Sequence, residues 1–414
     1  MRIQRGYKTE LDLNNAQQTA CAKHAGAARW AWNWGLARKI EAYKAGEKVP
    51  TAIDLHRQLN VLKQSEVPWM YDVSKCAPQE ALRNLDVAYA HFFRRCRTGK
   101  GRPGFPRWKS KRKGIGTFRL TGAVRVFDDA VQLPRLGRLR LKERCYLPMA
   151  DASTRILNAV VSERAGRWYV SVQVEREVPD PVQPDGGMVG VDLGIKTLAV
   201  VSDGTIIENP KALRRGMARL RMLSRRVSRK KKGSANRRKA ILRVAKQHAR
   251  VANIRRDVIH KATTMLTRTK SAIVLEDLHV AGMLKNHCLA GAVADAAPAE
   301  FRRQANYKGG WYACEIIEAD RFFPSSKRHV KCGYVYAGLK LSDRTWVCGG
   351  CGETVDRDPN AAQNLLWYGQ FGRNLNAYGE SGAGRAETSG ETALGEVGTK
   401  HMEDTLSNGG VLKW

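Results

Sequence analysis

From Gly116 to about Val178 apolar residues alternate with polar ones, in TFRL, AVRVF, GRLRLK, ILNAVVSER and WYVSVQVER, with turn residues between them. A period of two punctuated in this way predicts short antiparallel strands, curled or closed into a barrel. Residues 1–10 read as a further strand of that sheet. Between the two stretches, over residues 11–114, the pattern becomes helical. Asn14 or Asn15 can cap a helix whose apolar face takes in Ala20, His24, Ala27, Trp30 and Trp34. Helical pattern also covers 52–64 and 76–97, the latter with Ala81, Leu82, Leu85, Ala88, Tyr89 and Phe92 on one side. A small helical domain inserted in the β domain (1–10 and 115–183) is expected. Trp30, Trp32 and Trp34 cannot all face one core of a helix, so at least one should meet a second element or a ligand.

After the Pro-rich joint VPDPVQPDGG comes MVGVDLGIKTLAVVSDG, an apolar strand, a turn and a second strand. SAIVLEDL (271–278) and WYACEIIEAD (311–320) read as further strands. Before both, after the 188–204 stretch, residues 211–250 hold seventeen Lys or Arg and no Asp or Glu. Leu213, Met217, Leu220, Leu223 and Val227 recur at helical spacing, as do Ile241, Val244, His248, Val251, Ile254 and Val258. KKKGSAN lies between the two sets as a turn, so two antiparallel helices spanning 211–262 are expected, each with one apolar stripe and a cationic outer face. So dense a run of one sign repels itself without a polyanion beside it.

The charge extends this inference. The 414 residues carry a net charge of +33, with nine cysteines, and a pI near 10.1. That surface suits nucleic acid; a membrane partner would call for an apolar span of about 18 residues or an amphipathic basic helix with bulky apolar residues. The N-terminus has no apolar segment of a secretion signal. An odd number of mostly scattered cysteines fits a reducing, cytoplasmic compartment rather than a disulfide framework. In RRCRTGKGRPGFPRWKSKRKG (94–114) Gly and Pro disfavour regular structure while cations and aromatics alternate, so Arg102, Arg107, Trp108 and Lys109 are candidate nucleic-acid contacts. Arg225, Arg226, Lys230, Lys231 and Lys232 of the basic hairpin are others. The tail 373–414, rich in Gly, Ser, Thr and Glu, is expected to be disordered.

Two clusters carry candidate chemistry. His329-x-x-Cys332 and, fifteen residues on, Cys348-x-x-Cys351 are two pairs of soft ligands on tight turns, with Gly after Cys332 and after Cys351. Their spacing fits a tetrahedral Zn²⁺ knuckle (325–353), whose chain is too short to build a core without the metal. The second cluster is acidic. Asp192 follows Met-Val-Gly-Val, Glu276 follows Ala-Ile-Val-Leu, and Asp358 stands beside Pro359 at the start of a helix. Singly, each could be a strand end, a salt-bridged acid or an ordinary helix cap. Strand, hairpin, later strand and closing helix each delivering one acid to a shared edge is the RNase H-like arrangement, which holds a pair of Mg²⁺ or Mn²⁺ ions for phosphodiester hydrolysis.

At these residues the chain resembles the TnpB family of transposon-encoded RNA-guided nucleases, relatives of the compact type V CRISPR effectors. GVDLGIKTLAV is similar to the family's first RuvC motif, IVLEDL to its second and DRDPNAAQNL to its third, with the knuckle before the third. The resemblance implies an α/β multidomain protein. It would have a wedge-like β-barrel carrying an inserted helical recognition domain, and a RuvC nuclease domain (184–324 and 354–372) carrying the inserted knuckle. It also implies catalytic roles for Asp192, Glu276 and Asp358, a guide RNA derived from the transposon end, and a double-stranded DNA target read beside a short adjacent motif. One departure is His329, where the family usually has cysteine. An RNA-guided repressor that does not cut would be expected to have lost a catalytic acid, and all three are here. A strand-joining transposase would need less cationic surface, and a CRISPR-associated effector differs mainly in genomic neighbourhood.

Overall fold

The computed structural model describes residues 1–99, 103–111, 114–340 and 342–372; Arg102 and the tail 373–414 lie outside them. Strand β1 (Arg2–Asp12) is the first of seven in an antiparallel sheet completed by β2 (Thr117–Thr121), β3 (Arg125–Val126), β4 (Ala130–Leu133), β5 (Gly137–Leu141), β6 (Thr154–Arg164) and β7 (Arg167–Glu177). The hydrogen-bonded order is β2-β6-β7-β1-β5-β4-β3. β1 pairs with β7 from Arg2 to Glu10, then with β5 at Leu11 and Asp12. One strand thus passes between two halves of a curled sheet whose order ends at β2 and β3, one of the two forms that the alternation left open.

Three helices interrupt the sheet between β1 and β2: α1 (Asn15–Lys44), α2 (Ala52–Ser65) and α3 (Cys76–Thr98). Asn14 caps α1 in a capping box with Gln17, and Thr51 does the same for α2 with Asp54. The buried face of α1 is rotated from the expected stripe. Cys21, Ala25, Ala28, Ala31, Trp32 and Leu36 are buried, while Ala20, Trp30 and Trp34 are only half-buried. Small residues cause this, because they let α3 approach closely. At Gly35 a Cβ would stand 2.6 Å from a Leu82 methyl. Nor do the helices have a core of their own: their buried residues are continuous with Phe118, Leu120, Val161 and Val172 of the sheet.

The second part is built on β8 (Val189–Leu193), β9 (Ala199–Val201), β10 (Ile206–Ile207), β11 (Ala272–Glu276) and β12 (Glu315–Ala319), in the order β10-β9-β8-β11-β12. β8, β9 and β10 run antiparallel to one another, whereas β11 lies parallel to both β8 and β12. Apolar runs such as Ala-Ile-Val-Leu are buried on both faces here, as a covered parallel sheet requires. α4 (Ala212–Ser228) and α5 (Ala235–Thr269) form the basic hairpin, closed at Gly233 and capped by Ser234. Val251 and Ile259 are buried, but Ile241, His248 and Ile254 are exposed against expectation. Ile241 and His248 flank α4 in a shallow hollow with Ser224 and Val227, so one partner helix leaves that side of α5 open.

Between β11 and β12 lie α6 (Val280–Met283), α7 (Ala290–Ala296) and α8 (Pro298–Tyr312). The expected strand 311–320 is therefore shorter: Trp311 and Tyr312 end α8, and Ala313 at φ 53° turns the chain into β12. A two-stranded ribbon, β13 (Thr345–Val347) and β14 (Thr354–Asp356), precedes the closing helix α9 (Arg357–Trp367), which runs into a π turn at Tyr368–Gly372. No helix among the described residues is long and apolar enough to cross a membrane.

Candidate active site and metal centre

Val191 of β8 stands opposite Leu275 of β11 in a parallel pair, so the next residue on each strand, Asp192 and Glu276, emerges at the same sheet edge. Neighbouring strands are about 4.8 Å apart, which makes two acids there close neighbours. The third comes from α9, which packs directly on β8. At Gly190 a Cβ would lie 2.1 Å from the Ala362 carbonyl oxygen and 2.4 Å from the Leu366 nitrogen, so only glycine permits this approach. The sequence leaves Asp358 open to being the cap of the helix. Instead Asp356 caps α9 by accepting from the Asp358 amide, and Asp358 sits in the first turn with its carboxylate free of that duty.

The three acids feel one another. Burial, then the carboxylates of Glu276 and Asp358, push Asp192 up to about 8, against the opposing influence of Arg357 and Arg344. Carboxylates that raise one another in this way disfavour sharing negative charge. Carboxylate oxygens are hard donors, which suit Mg²⁺ or Mn²⁺; their donor atoms are not drawn together as closely as those of the His and Cys cluster below. Neighbouring groups fix two of the acids. The Ser325 hydroxyl donates to Glu276 Oε1, while Arg344 Nη1 approaches Asp358 Oδ1 at 3.3 Å.

Arg344 lies in the loop between Cys332 and Cys348, so the knuckle lends a cation to the acidic site. Sequence reasoning missed it, because an arginine in a loop carries no spacing signal. It also missed Asn360 and Asn364, whose i,i+4 spacing on α9 was the available clue. Both are buried. Asn360 Nδ2 and Asn364 Nδ2 donate to the Arg328 carbonyl, Asn364 Nδ2 also to that of Ser325, and Val330 N donates to Asn360 Oδ1. These bonds fasten the strand entering the knuckle to the helix that carries Asp358.

In the knuckle itself His329, Cys332, Cys348 and Cys351 converge, with one donor atom from each all within 4.8 Å of one another. His329 is buried, and its Nδ1 lies 3.3 Å from the sulfurs of both Cys332 and Cys351. Its Nε2 faces Glu353 at 3.7 Å, a carboxylate also paired with Lys331. The imidazole is thus held with Nδ1 toward the thiols, as a ligating histidine with an outer carboxylate would be. Burial opposes ionisation of Cys348, but hydrogen bonds from the backbone of Cys351 and Gly350 and from neighbouring thiols hold it down at about 6. Gly333 and Gly352 adopt φ of 74° and 76° just after their cysteines, the left-handed turns that both pairs need. A histidine and three thiols in this array could bind Zn²⁺.

The remaining candidates fall on two surfaces. Residues 103–111 are docked on α1: Trp32 Nε1 donates to the Arg107 carbonyl, and Asn33 bonds both the amide and the carbonyl of Lys109. The Lys109 ammonium sits 3.7 Å over the Trp32 ring. Lys109 is exposed like Arg107 and Trp108, but its ammonium is engaged by that ring, and desolvation pulls its pKa down to about 8. On the hairpin, Arg225, Lys230, Lys231 and Lys232 are exposed around the turn. Arg226 instead lines a cleft of about 630 Å³ with Arg219, Arg243, Lys246 and Arg250, closed by Arg164 and Arg167 from the β6–β7 turn. Among the described residues no Asp or Glu lines it, although Arg167 also pairs with Glu10. Lys8 nearby is pushed below the usual lysine range by burial, then by Arg256 and Arg164.

Comparison with known proteins gives this arrangement a family. The "Probable transposase" domain OrfB_IS605 matches residues 171–287, its helix-turn-helix domain 1–48, and the Cas12f1-like TNB domain 299–365. A Streptomyces pristinaespiralis protein that bears the name RNA-guided DNA endonuclease is 36% identical over 88% of this chain and 89% of its own length. The chain belongs to the TnpB family. The InsQ protein of Escherichia coli (strain K12), which bears the same name, is 32% identical over 88% of the chain and 92% of its own length. Among solved structures, a Cas12f1–sgRNA–target DNA complex matches with a TM-score of 0.32 at 13% identity, covering 88% of this chain and 99% of that one. CRISPR-Cas_phi3 matches at 0.45 and 8%, covering 88% and 92%. Against those distant likenesses, the TnpB assignment rests on the sequence relatives and the matched domains.

Proposed function

We propose that this TnpB-family protein is an RNA-guided DNA endonuclease with one RuvC-like centre formed by Asp192, Glu276 and Asp358. The observation that carries the reading is geometric: the parallel pairing of β8 with β11 delivers Asp192 and Glu276 to one sheet edge, and α9, packed on β8, carries Asp358 in its first turn. The sheet order β10-β9-β8-β11-β12 with α9 against β8 supports the RNase H-like assignment. Asp192, Glu276 and Asp358 would hold Mg²⁺ or Mn²⁺, which supplies water activation and charge stabilisation in phosphodiester hydrolysis. Ser325 orients Glu276, Asp356 leaves Asp358 free, and Arg344 stands where it can meet a phosphate oxygen of the strand. His329, Cys332, Cys348 and Cys351 would hold Zn²⁺ and so fix the loop that carries Arg344.

The cleft between the β6–β7 turn and the α4–α5 hairpin is the place for a polyanion, because like-charged side chains from both sides are left to repel one another without one. We assign it to the backbone of a guide RNA, transcribed from the transposon end, and to the heteroduplex this RNA forms with DNA beside a short motif. The reducing cytoplasm suits the three free thiols of the knuckle. Asp192→Ala tests the reading directly. It is expected to abolish Mg²⁺-dependent cutting of guide-matched duplex DNA while guide affinity stays at the wild-type value; retained cutting would remove Asp192 from the site.

A further inference from the structure

The tryptophans of α1 have a use that the nuclease reading does not absorb. Trp32 is the core tryptophan, buried and tied to the 103–111 segment. Trp30 and Trp34, one turn apart, stack with ring centroids 5.9 Å apart, and Trp69 meets Trp30 edge-on at 6.1 Å. Trp69 lies in the short 3₁₀ turn Pro68–Asp72, which Met70 anchors, being 2% exposed where Trp69 is 44% exposed. Beyond its edge-on contact with Trp30, the Trp69 indole is left open. Beside it is a cavity of about 500 Å³ lined by Gly26, Trp30, Asn33 and Trp69, with the Lys23–Asp72 ion pair, 3.2 Å, among its walls.

Gly26 is a second, independent sign. It lies in the interior of a 30-residue helix, where glycine is destabilising relative to alanine. Unlike Gly35, it answers no steric demand from the protein: a Cβ at Gly26 would meet only the far end of Arg29, at 4.0 Å. What its missing side chain leaves open is the cavity.

We propose that this cavity receives one unpaired nucleobase of a nucleic-acid strand, stacked against Trp69. The volume suits a small planar ligand. An exposed indole offers a π face that any base can use, and the surface charge of +33 brings a strand to it. Lys23, Asp72 and Asn33 place polar atoms around the aromatic wall, although Asn33 is already bonded to Lys109. An unpaired DNA base and an unpaired RNA base share this chemistry.

The test is binding without divalent metal, so its result is independent of whether the carboxylates cut. Full-length protein freed of nucleic acid is titrated with single-stranded 12-mers, DNA and RNA, each carrying one 2-aminopurine at successive positions, and with matching oligomers abasic at that position. Wild type is expected to quench 2-aminopurine at one register. Trp69→Ala and Gly26→Leu are expected to lose that quenching and roughly 5- to 150-fold in affinity, the range of one base–aromatic stack, with an unchanged salt slope. Trp69→Phe should restore part of both. Leucine at position 26 favours the helix while filling the cavity, so its melting temperature should not fall and its loss of binding cannot be unfolding. The arm that responds identifies the strand, DNA or RNA. The proposal is overturned if both variants bind and quench like wild type, or if the abasic oligomers bind as tightly as the intact ones.

Discussion

Gly190→Ala is a one-methyl change that should disable the site without touching any acid. A Cβ at Gly190 would fall 2.1 Å from the Ala362 carbonyl oxygen, where ordinary contact begins near 3.4 Å, so α9 must retreat by about 1.3 Å. The obstacle is backbone, held in a helical hydrogen-bond ladder, and cannot be relieved by a rotamer change. Asp358 rides on the first turn of α9 and would move away from Asp192 with it. Overpacking of this kind destabilises by about 1–3 kcal/mol. Misplacement of a catalytic group by about 1 Å lowers turnover on the order of 100-fold. Single-turnover cutting of guide-matched DNA at saturating Mg²⁺ measures the rate, and thermal melting measures the stability. Gly187→Ala is the control, since a Cβ there meets nothing within 4 Å. Gly190→Ala cutting at the wild-type rate would refute the idea that the α9–β8 contact sets the spacing of the acids.

Three more outcomes are expected. Elemental analysis should find about one Zn²⁺ per chain, with Cys348→Ser lowering it because a missing thiolate opens the tetrahedron; unchanged zinc would place the site elsewhere. Replacing Arg219, Arg226, Arg243 and Arg250 together by Gln should flatten the dependence of log guide affinity on log salt by roughly 0.7 to 0.9 for each phosphate left without its cation. An equal slope would make the cleft plain solvated surface. Lys308, buried with its ammonium donating to His260 O, Thr263 Oγ1 and Thr264 Oγ1 and with Gln304 Oε1 further off at 3.4 Å, is pulled down to about 8 by burial. A lysine depressed in the fold holds its proton less tightly there than in the unfolded chain, so its contribution to stability rises between about pH 8 and 10.5. Melting temperatures of wild type against Lys308→Met should converge or cross in the wild type's favour over that window, and a constant difference would contradict the shift.

The elements with strong periodicity were legible in the chain: the strands of the curled sheet, the two basic helices, and the apolar strands that end in Asp192 and Glu276. The convergence of the His and Cys cluster was legible too, since His329-x-x-Cys332 and Cys348-x-x-Cys351 fix a tight turn each. What failed to show was set by tertiary packing. The face of α1 turned because Ala25, Ala28, Ala31 and Gly35 admit a close neighbour, and small residues weigh little in an apolar count. Ile241 and Ile254 looked buried because spacing does not reveal that they line open hollows beside α4. Arg344 reaches Asp358 only because the loop between the two ligand pairs folds back over α9, a long-range outcome that no local pattern encodes.

The pairing of β1 with β7 has a consequence for synthesis. Arg2 finds its partner at Glu177 and Glu10 at Tyr169, so the first strand made waits for one of the last strands of its sheet. At the usual pace of about 5–20 residues per second, that interval is roughly 10 to 35 s. Throughout it the helices between β1 and β2 lack the sheet residues that complete their core. An eleven-residue alternating strand then stands unpaired outside the ribosome, an open invitation to another nascent chain. Its five charged residues, Arg2, Arg5, Lys8, Glu10 and Asp12, keep the strand solvated during that wait, before any of them serves the finished protein.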